Sequence, residues 1–327
     1  RRCGADRRTQ TGRCGAGNTL RAARAALHRW EEPCISGEDP ERGSGTVFFC
    51  GCTLGCAFCQ NGVISHGGEG KEITTERLAE VFLALQAQGA YNINLVTPTQ
   101  YLPWILEALN LCGERLAIPV LYNTGGYERV EMLRLLEGRV QIYLPDLKYY
   151  DSALSARYSA APDYFAVAAQ ALREMFRQVG PVRFDENGML QSGMVVRHLV
   201  LPGQLENTRR VIDWVSQTFQ PGQVLFSLMS QYTPQPGAQG PLALPVLPSG
   251  NCSAPFLPTN TARPASGRRS WAFWAIPSSV LPPMPPTPRP LMGRAFDKIS
   301  PPGDTYDRTP AAPRHRRWRT VFPHSRP

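Results

Sequence analysis

Cys52, Cys56 and Cys59 lie within eight residues, spaced Cys-x3-Cys-x2-Cys, with Phe58 directly before the last thiol. Thiolates are soft ligands suited to iron–sulfur clusters. Three of them on one short loop can hold three irons of a [4Fe–4S] cube and leave the fourth iron without a protein ligand. Most electron-transfer clusters are closed by four cysteines. A missing fourth ligand therefore points to a substrate or cofactor that chelates the open iron.

Simpler uses of three thiols fit less well. Structural zinc takes four ligands, usually as two separated pairs. No histidine stands at ligand spacing, since His66 is seven residues past Cys59. A disulfide is disfavoured because the rest of the chain reads as intracellular. S-adenosylmethionine (SAM) could chelate an open iron through its amino and carboxylate groups, with its sulfonium beside the cube. One electron from the cluster would then cleave a C–S bond and release a 5′-deoxyadenosyl radical.

The flanking sequence carries a resemblance. GSGTVFF precedes the thiols and FCQN ends the loop, followed by NINLVTPTQY, PVLYNTGGYE, IYLPDLKYY, VVRHLVLPG and SLMSQYTP. Over residues 3–234 these ordered blocks resemble the uncharacterised radical SAM proteins related to pyruvate formate-lyase activating enzyme. The resemblance implies a [4Fe–4S] cluster on Cys52, Cys56 and Cys59, SAM as co-substrate, and a one-electron donor such as flavodoxin or ferredoxin. It also implies hydrogen abstraction, with a glycine of a partner enzyme as one candidate substrate. A small molecule or another macromolecule is the alternative, and a noncatalytic Fe–S protein is a third reading.

These residues need a scaffold, and the pattern supplies one. Apolar runs at 46–50, 92–97, 118–122, 140–144, 194–201 and 224–229 read as strands. Helical periodicity separates them at 72–88, 101–112, 128–136, 164–179 and 207–219, with Thr74 or Thr75 as a cap for the first. Alternating strands and helices predict an α/β fold of parallel strands joined by right-handed crossovers. The expected architecture is a partial (β/α)6 TIM-like barrel of the radical SAM type. An open doubly wound sheet is the alternative. The expected divisions are an N-terminal segment 1–34, a core 35–239 and a Pro/Arg-rich tail 240–327.

In such folds the site gathers at the C-terminal ends of the strands. Thr97 and Thr99 follow the second strand, where the activase-like family carries a Gly-Gly-Glu motif for the SAM amino group. That motif is missing here, so main-chain carbonyls, Thr97 or Thr99 are the expected contacts. The Gly67-Gly68-Glu69 triplet lies elsewhere and reads as a flexible loop. Asn123 and Thr124 end the third strand before two glycines. In the activase the aligned Asp-Thr pair helps hold a monovalent cation, and Asn123 stands where that Asp would be. The other reading is a glycine turn capping the next helix.

Asp146 and Lys148 share a strand face at the fourth strand end and match an activase Asp-x-Lys that contacts SAM. A strand-end salt bridge is the other reading. Arg197 matches an activase arginine near SAM, while a regular strand sends His198 to the opposite face as a structural residue. Met229, Gln231 and Tyr232 fall where the family lines its adenine pocket. Cys3 and Cys14 resemble the second half of a four-cysteine knuckle. Cys50 reads as a small buried residue, and Cys34, Cys112 and Cys252 as structural or incidental.

The formal charge of +9 is unevenly spread. Residues 241–327 hold eleven Arg and one Lys against three Asp, leaving 23 basic and 23 acidic side chains in residues 1–240. The catalytic part is neutral, so charge gives no reason to expect nucleic acid. The tail also carries 19 of the 31 prolines and has no helical or strand period, so disorder is expected there. Its abrupt onset after Pro234 is also what a shifted reading frame in GC-rich DNA would give. An opening Arg suggests an N-terminal fragment. No apolar run of about 18 residues is present, so a cytoplasmic protein with no membrane contact is expected.

Overall fold

The computed structural model describes residues 3–32, 34–66, 69–230 and 232. The strands are β1 (Arg21–His28), β2 (Gly43–Phe49), β3 (Lys71–Glu72), β4 (Ala90–Val96), β5 (Val120–Thr124), β6 (Ile142–Pro145), β7 (Arg183–Phe184), β8 (Leu190–Leu199) and β9 (Leu225–Met229). The helices are α1 (Gly62–Ser65), α2 (Thr75–Ala87), α3 (Leu102–Cys112), α4 (Val130–Leu133), α5 (Ser152–Ser159), α6 (Tyr164–Val179) and α7 (Leu205–Thr218). The tail and its expected disorder lie outside the described residues, as do Gln231 and Cys252.

The six expected strands all form, and they pair in parallel in the order β2-β4-β5-β6-β8-β9. Three strands were not expected. β1 lies antiparallel to β2, with β3 beyond it, and β7 lies antiparallel to β8. The 1–34 boundary thus cuts through the sheet, since residues 21–28 belong to it. Their sequence, RAARAALH, is rich in helix formers. Ladder pairing with β2 overrides that propensity. The short helices α1 and α5 were not expected either; Asp151 caps α5 by accepting from the amides of Ala153 (2.7 Å) and Leu154 (3.1 Å).

Two apolar layers follow from strand alternation. Val47, Leu95, Tyr122 and Val196 point outward against Leu78, Ile105, Leu172 and Val211 of the helices. Phe48, Val96, Leu121, Leu144 and Val195 point to the inner side with Trp30 and Ile35. Residues 29–32 and 34–36 lie on that inner side and reach from the β1 edge to β8 and β9. Trp30 Nε1 donates to Thr46 Oγ1 (3.0 Å), Ser227 Oγ donates to Glu31 Oε1 (3.5 Å), and the Leu190 amide donates to the Cys34 carbonyl (2.9 Å). Among the described residues, backbone and side-chain contacts rather than a strand pair link the two edges. The result is the expected partial barrel.

Candidate functional site

The cluster loop leaves β2 at its C-terminal end and is held on several sides. Gln100, itself buried, donates from Nε2 to the carbonyls of Cys50 (2.8 Å), Gly51 (3.0 Å) and Thr97 (2.9 Å). The Cys52 amide donates to the Cys14 carbonyl (3.1 Å), and the Ala57 amide to the Tyr158 carbonyl (2.8 Å). Gly51 has φ +78° and a Cβ there would lie 2.1 Å from the Cys14 oxygen, so only glycine lets the two segments meet. The N-terminal segment is therefore a buttress for the loop. Arg7 strengthens it by donating to the Gln100 carbonyl. Cys3 and Cys14 turn their sulfurs to one point, 3.5 and 3.4 Å from where a Gly12 Cβ would sit.

Cys52, Cys56 and Cys59 lie close enough to influence one another electrostatically. Burial, with Cys56 and Cys59 nearby, pushes the Cys52 thiol up to about 12. Burial also raises Cys56, which accepts from Ser159 Oγ (3.0 Å) and feels the Lys148 cation. Burial would raise Cys59 too, but His66 and Ser65 more than offset it. His66, set aside for its sequence distance, is brought back by the single turn of α1 to hydrogen-bond Cys59. Cys50 donates to the Glu69 carbonyl (3.1 Å), turned away from the three thiols, as a small buried residue.

The donor set fits a cube better than a single ion. Among the described residues no three His, Cys, Asp or Glu side chains converge as a mononuclear site requires. A cube asks each thiol to serve a different iron, so the sulfurs need only surround a volume. Metal binding would deprotonate thiols that burial keeps neutral.

Across the inner face, Asp146 bridges two cations. Its carboxylate accepts from Lys148 Nζ (2.5 Å) and Arg197 Nε (2.9 Å). Burial alone would raise Asp146, but Arg197 and Lys148 hold it below its usual range. Arg197 also meets Glu31 (3.5 Å) and lies over the Trp30 ring (5.5 Å). The sequence reading missed Glu31, because it falls in a segment taken for a remnant. The loop after β5 packs on the backbone of the β6 strand end: Gly126 has φ +77° and a Cβ there would lie 2.2 Å from the Asp146 backbone carbonyl oxygen.

Other expected contacts divide between the two faces. Asn123 turns inward and is buried, with its Nδ2 unpartnered; Asn94, missed before, is fully buried with neither amide atom satisfied. Thr99 and Thr124 instead turn to Glu128 on the helix-facing side. Thr99 Oγ1 donates to Glu128 Oε1 (2.5 Å) and Thr124 Oγ1 to the same oxygen. Both hydroxyls are committed there, and for Thr124 strand alternation after Asn123 demands it. Thr97 has φ +57°, an uncommon conformation for a β-branched residue, and its amide donates to the Asn123 carbonyl (2.9 Å). His198 takes the outer face as expected, bonded to the Leu147 carbonyl (2.6 Å) and Thr208 (3.0 Å).

Three half-buried thiols at the end of a parallel strand, beside a largely buried Asp–Lys–Arg group, define a class of cofactor-binding α/β protein. The family model described as Radical SAM superfamily matches residues 46–215, just over half of the chain. The chain belongs to the radical SAM superfamily, whose cofactors are a [4Fe–4S] cluster and SAM. It is 29% identical over 243 residues to uncharacterized protein MJ0674 of Methanocaldococcus jannaschii, covering 72% of this chain and 64% of that one. The chain thus spans about two thirds of that relative's length, just short of the full fraction. Among solved structures, Streptococcus suis SuiB bound to S-adenosylmethionine superposes with a TM-score of 0.41 and 15% identity, over 57% of this chain and 40% of SuiB. Methylornithine synthase (PylB) gives 0.41 and 18%, over 57% and 52%. Among the described residues no helix is long and apolar enough to cross a membrane.

Proposed function

We propose that this chain is a radical SAM enzyme that abstracts a hydrogen atom from its substrate. The observation that carries the reading is the loop of Cys52, Cys56 and Cys59, buttressed at the C-terminal end of β2 and facing Lys148. When bound, the cluster and SAM supply a one-electron C–S cleavage that yields a 5′-deoxyadenosyl radical.

The chain's own residues have distinct tasks. Cys52, Cys56 and Cys59 hold the cluster, and the Lys148 cation offsets the charge of their thiolates. Asp146 fixes Lys148 and Arg197 in place through two short ion pairs, and Glu31 takes the remaining reach of Arg197. Asn123, with a free amide donor, and the backbone at Thr97 are the groups best placed to meet SAM.

A flavodoxin or ferredoxin is the one-electron donor in this reading. The sequence resemblance supports a glycine of a partner enzyme as the hydrogen donor. A second reading takes a small organic molecule as substrate, favoured by the unpartnered polar atoms of Asn94 and Asn123 on the inner face. The test is anaerobic reconstitution and reduction with SAM. Methionine and 5′-deoxyadenosine should form; an intact cluster with no cleavage would leave only an Fe–S protein. A glycyl radical signal in a co-purified partner separates the two substrates.

A further inference from the structure

Unsatisfied buried polarity in this molecule is concentrated in one place. Seven buried side-chain atoms lack a partner among the described residues: Arg24 Nε, His28 Nε2, Glu31 Oε2, both amide atoms of Asn94, Asn123 Nδ2 and Gln100 Oε1. Six belong to the inner face, and the seventh sits under the cluster loop. Native proteins leave few such atoms, and a bound group is one explanation for each.

Arg24 is the unusual one. In β1 the register with β2 slips between Ala22 and Arg24, a one-residue bulge. Ala22 packs toward the helices and Ala23 toward the inner side. Regular alternation would return Arg24 to the helix side. The bulge instead lays its guanidinium 4.2 Å from the Phe48 ring centroid, on the inner face. Bulges of this kind re-aim a side chain, often next to a functional site. His28 meets the same ring edge-on at 5.2 Å.

The inner face carries one more cation than carboxylate. Its cations are Arg24, Lys148 and Arg197, and its carboxylates are Glu31 and Asp146. Both carboxylates are engaged by Arg197 and Lys148. No ion pair to Arg24 is found among the described residues, and burial depresses the pKa of the guanidinium. His28 adds no compensating charge, because burial and Arg24 bring its pKa down to about 4. One positive charge is left over, at the β1 edge.

We propose that Arg24 anchors an oxyanion, a carboxylate or phosphate, on a small organic substrate lying along the inner face. This inference rests on reading the site as that of a hydrogen-abstracting enzyme. A guanidinium offers a planar fork of donors that suits either oxyanion. Phe48 holds that fork from the ring side. Asn94, further in on β4, offers a donor and an acceptor to an uncharged polar part of the same molecule.

The test titrates the full chain with inorganic phosphate and, separately, with malonate at constant ionic strength, following the Arg24 Nε–H resonance and the unfolding temperature. One of the two oxyanions should shift that resonance saturably, which distinguishes the phosphate source from the carboxylate source. Arg24→Gln should weaken that binding by about tenfold or more, the scale of a hydrogen bond to a charged group, and Arg24→Lys should retain part of it. Equal binding by wild type and Arg24→Gln, or an Arg24 resonance indifferent to both anions, overturns the proposal. Should Arg24→Gln fail to fold, the wild-type resonance and the Lys variant decide the matter. SAM cleavage by wild type is scored separately: its absence with anion binding intact removes the enzyme reading and leaves the anion site standing.

Discussion

On β5, Asn123 turns inward with an amide nitrogen that meets no partner, whereas Thr124, one residue on, turns outward and gives its hydroxyl to Glu128. The same division runs across the sheet. On the outer face Glu128 gathers Thr99 and Thr124, and His198 uses both ring nitrogens on Leu147 and Thr208. On the inner face atoms of Asn94, Asn123 and Arg24 are left without a partner among the described residues, while Asp146, Lys148, Arg197 and Glu31 form ion pairs and Thr46 accepts from Trp30. Buried polarity that serves only folding is satisfied by the protein itself. Where the protein leaves it unsatisfied, its partner has to come from outside.

The largest effect expected is on the thiols. Cys56→Ala should abolish methionine and 5′-deoxyadenosine formation, because two thiols cannot hold the cube, while the sheet stays folded. Cys50→Ser should keep activity, since Cys50 spends its thiol on the Glu69 carbonyl. Iron content and product release check both; a cluster lost with Cys50 and kept with Cys56→Ala would reverse the ligand assignment. Next comes the paired group within the inner face. Asp146→Ala leaves Lys148 without its carboxylate and Arg197 with Glu31 alone, and breaking such a buried pair costs about 3–5 kcal/mol. Urea unfolding measures this. A loss below 1 kcal/mol, roughly the scale of an exposed pair, would mean that water reaches the group.

How much of this was legible in the sequence depended on how local each signal was. The six apolar runs are local, and each forms a strand; the cysteine spacing is local too, and the superfamily it points to is the one the chain belongs to. Residues whose role depends on a distant segment were not legible in this way. Glu31 and Arg24 sit in or just after an Ala/Arg-rich run of helix formers that carries no strand pattern and becomes a strand by pairing with β2. Glu128 closes a motif whose first residues drew the attention, and only its burial shows that it collects two hydroxyls. Thr99 and Thr124 were grouped with the site because they lie at strand ends. Strand alternation, applied to Asp146 and Lys148, would have sent Thr124 to the other face. His66 was judged by its separation from Cys59 in sequence, which one helical turn undoes.

The outer face carries a pH signature of its own at Glu128. Burial pushes the Glu128 carboxyl up to about 7, in spite of hydrogen bonds from Thr124 and Thr99. An unfolded glutamate loses its proton near 4.5. Between these values the folded state holds one more proton than the unfolded one, so stability falls as pH rises through that window. The total is about 3 kcal/mol. Glu128→Gln keeps an oxygen for both threonines and removes the titration. It should therefore gain on wild type by about 3 kcal/mol between pH 4.5 and 7. A stability difference that does not change with pH would place water beside Glu128 and weaken the contrast between the faces.

The smallest effect tests the contrast from the other side. Asn94 is fully buried and neither its oxygen nor its nitrogen is bonded. Leaving such a group dry costs about 1–3 kcal/mol, which an apolar side chain of similar size would not incur. Asn94→Leu should thus raise stability by about 1 kcal/mol in the absence of substrate, with Thr46 and Trp30 keeping their mutual hydrogen bond. The same change on the satisfied face, at Thr208 beneath His198, should lower stability, because it strips a ring nitrogen of its partner. Denaturant midpoints of Asn94→Leu and Thr208→Val, measured side by side, therefore move in opposite directions if the inner face is built for a ligand. If both variants are destabilised alike, Asn94 has a structural partner such as a fixed water, and the inner face is a polar core like any other.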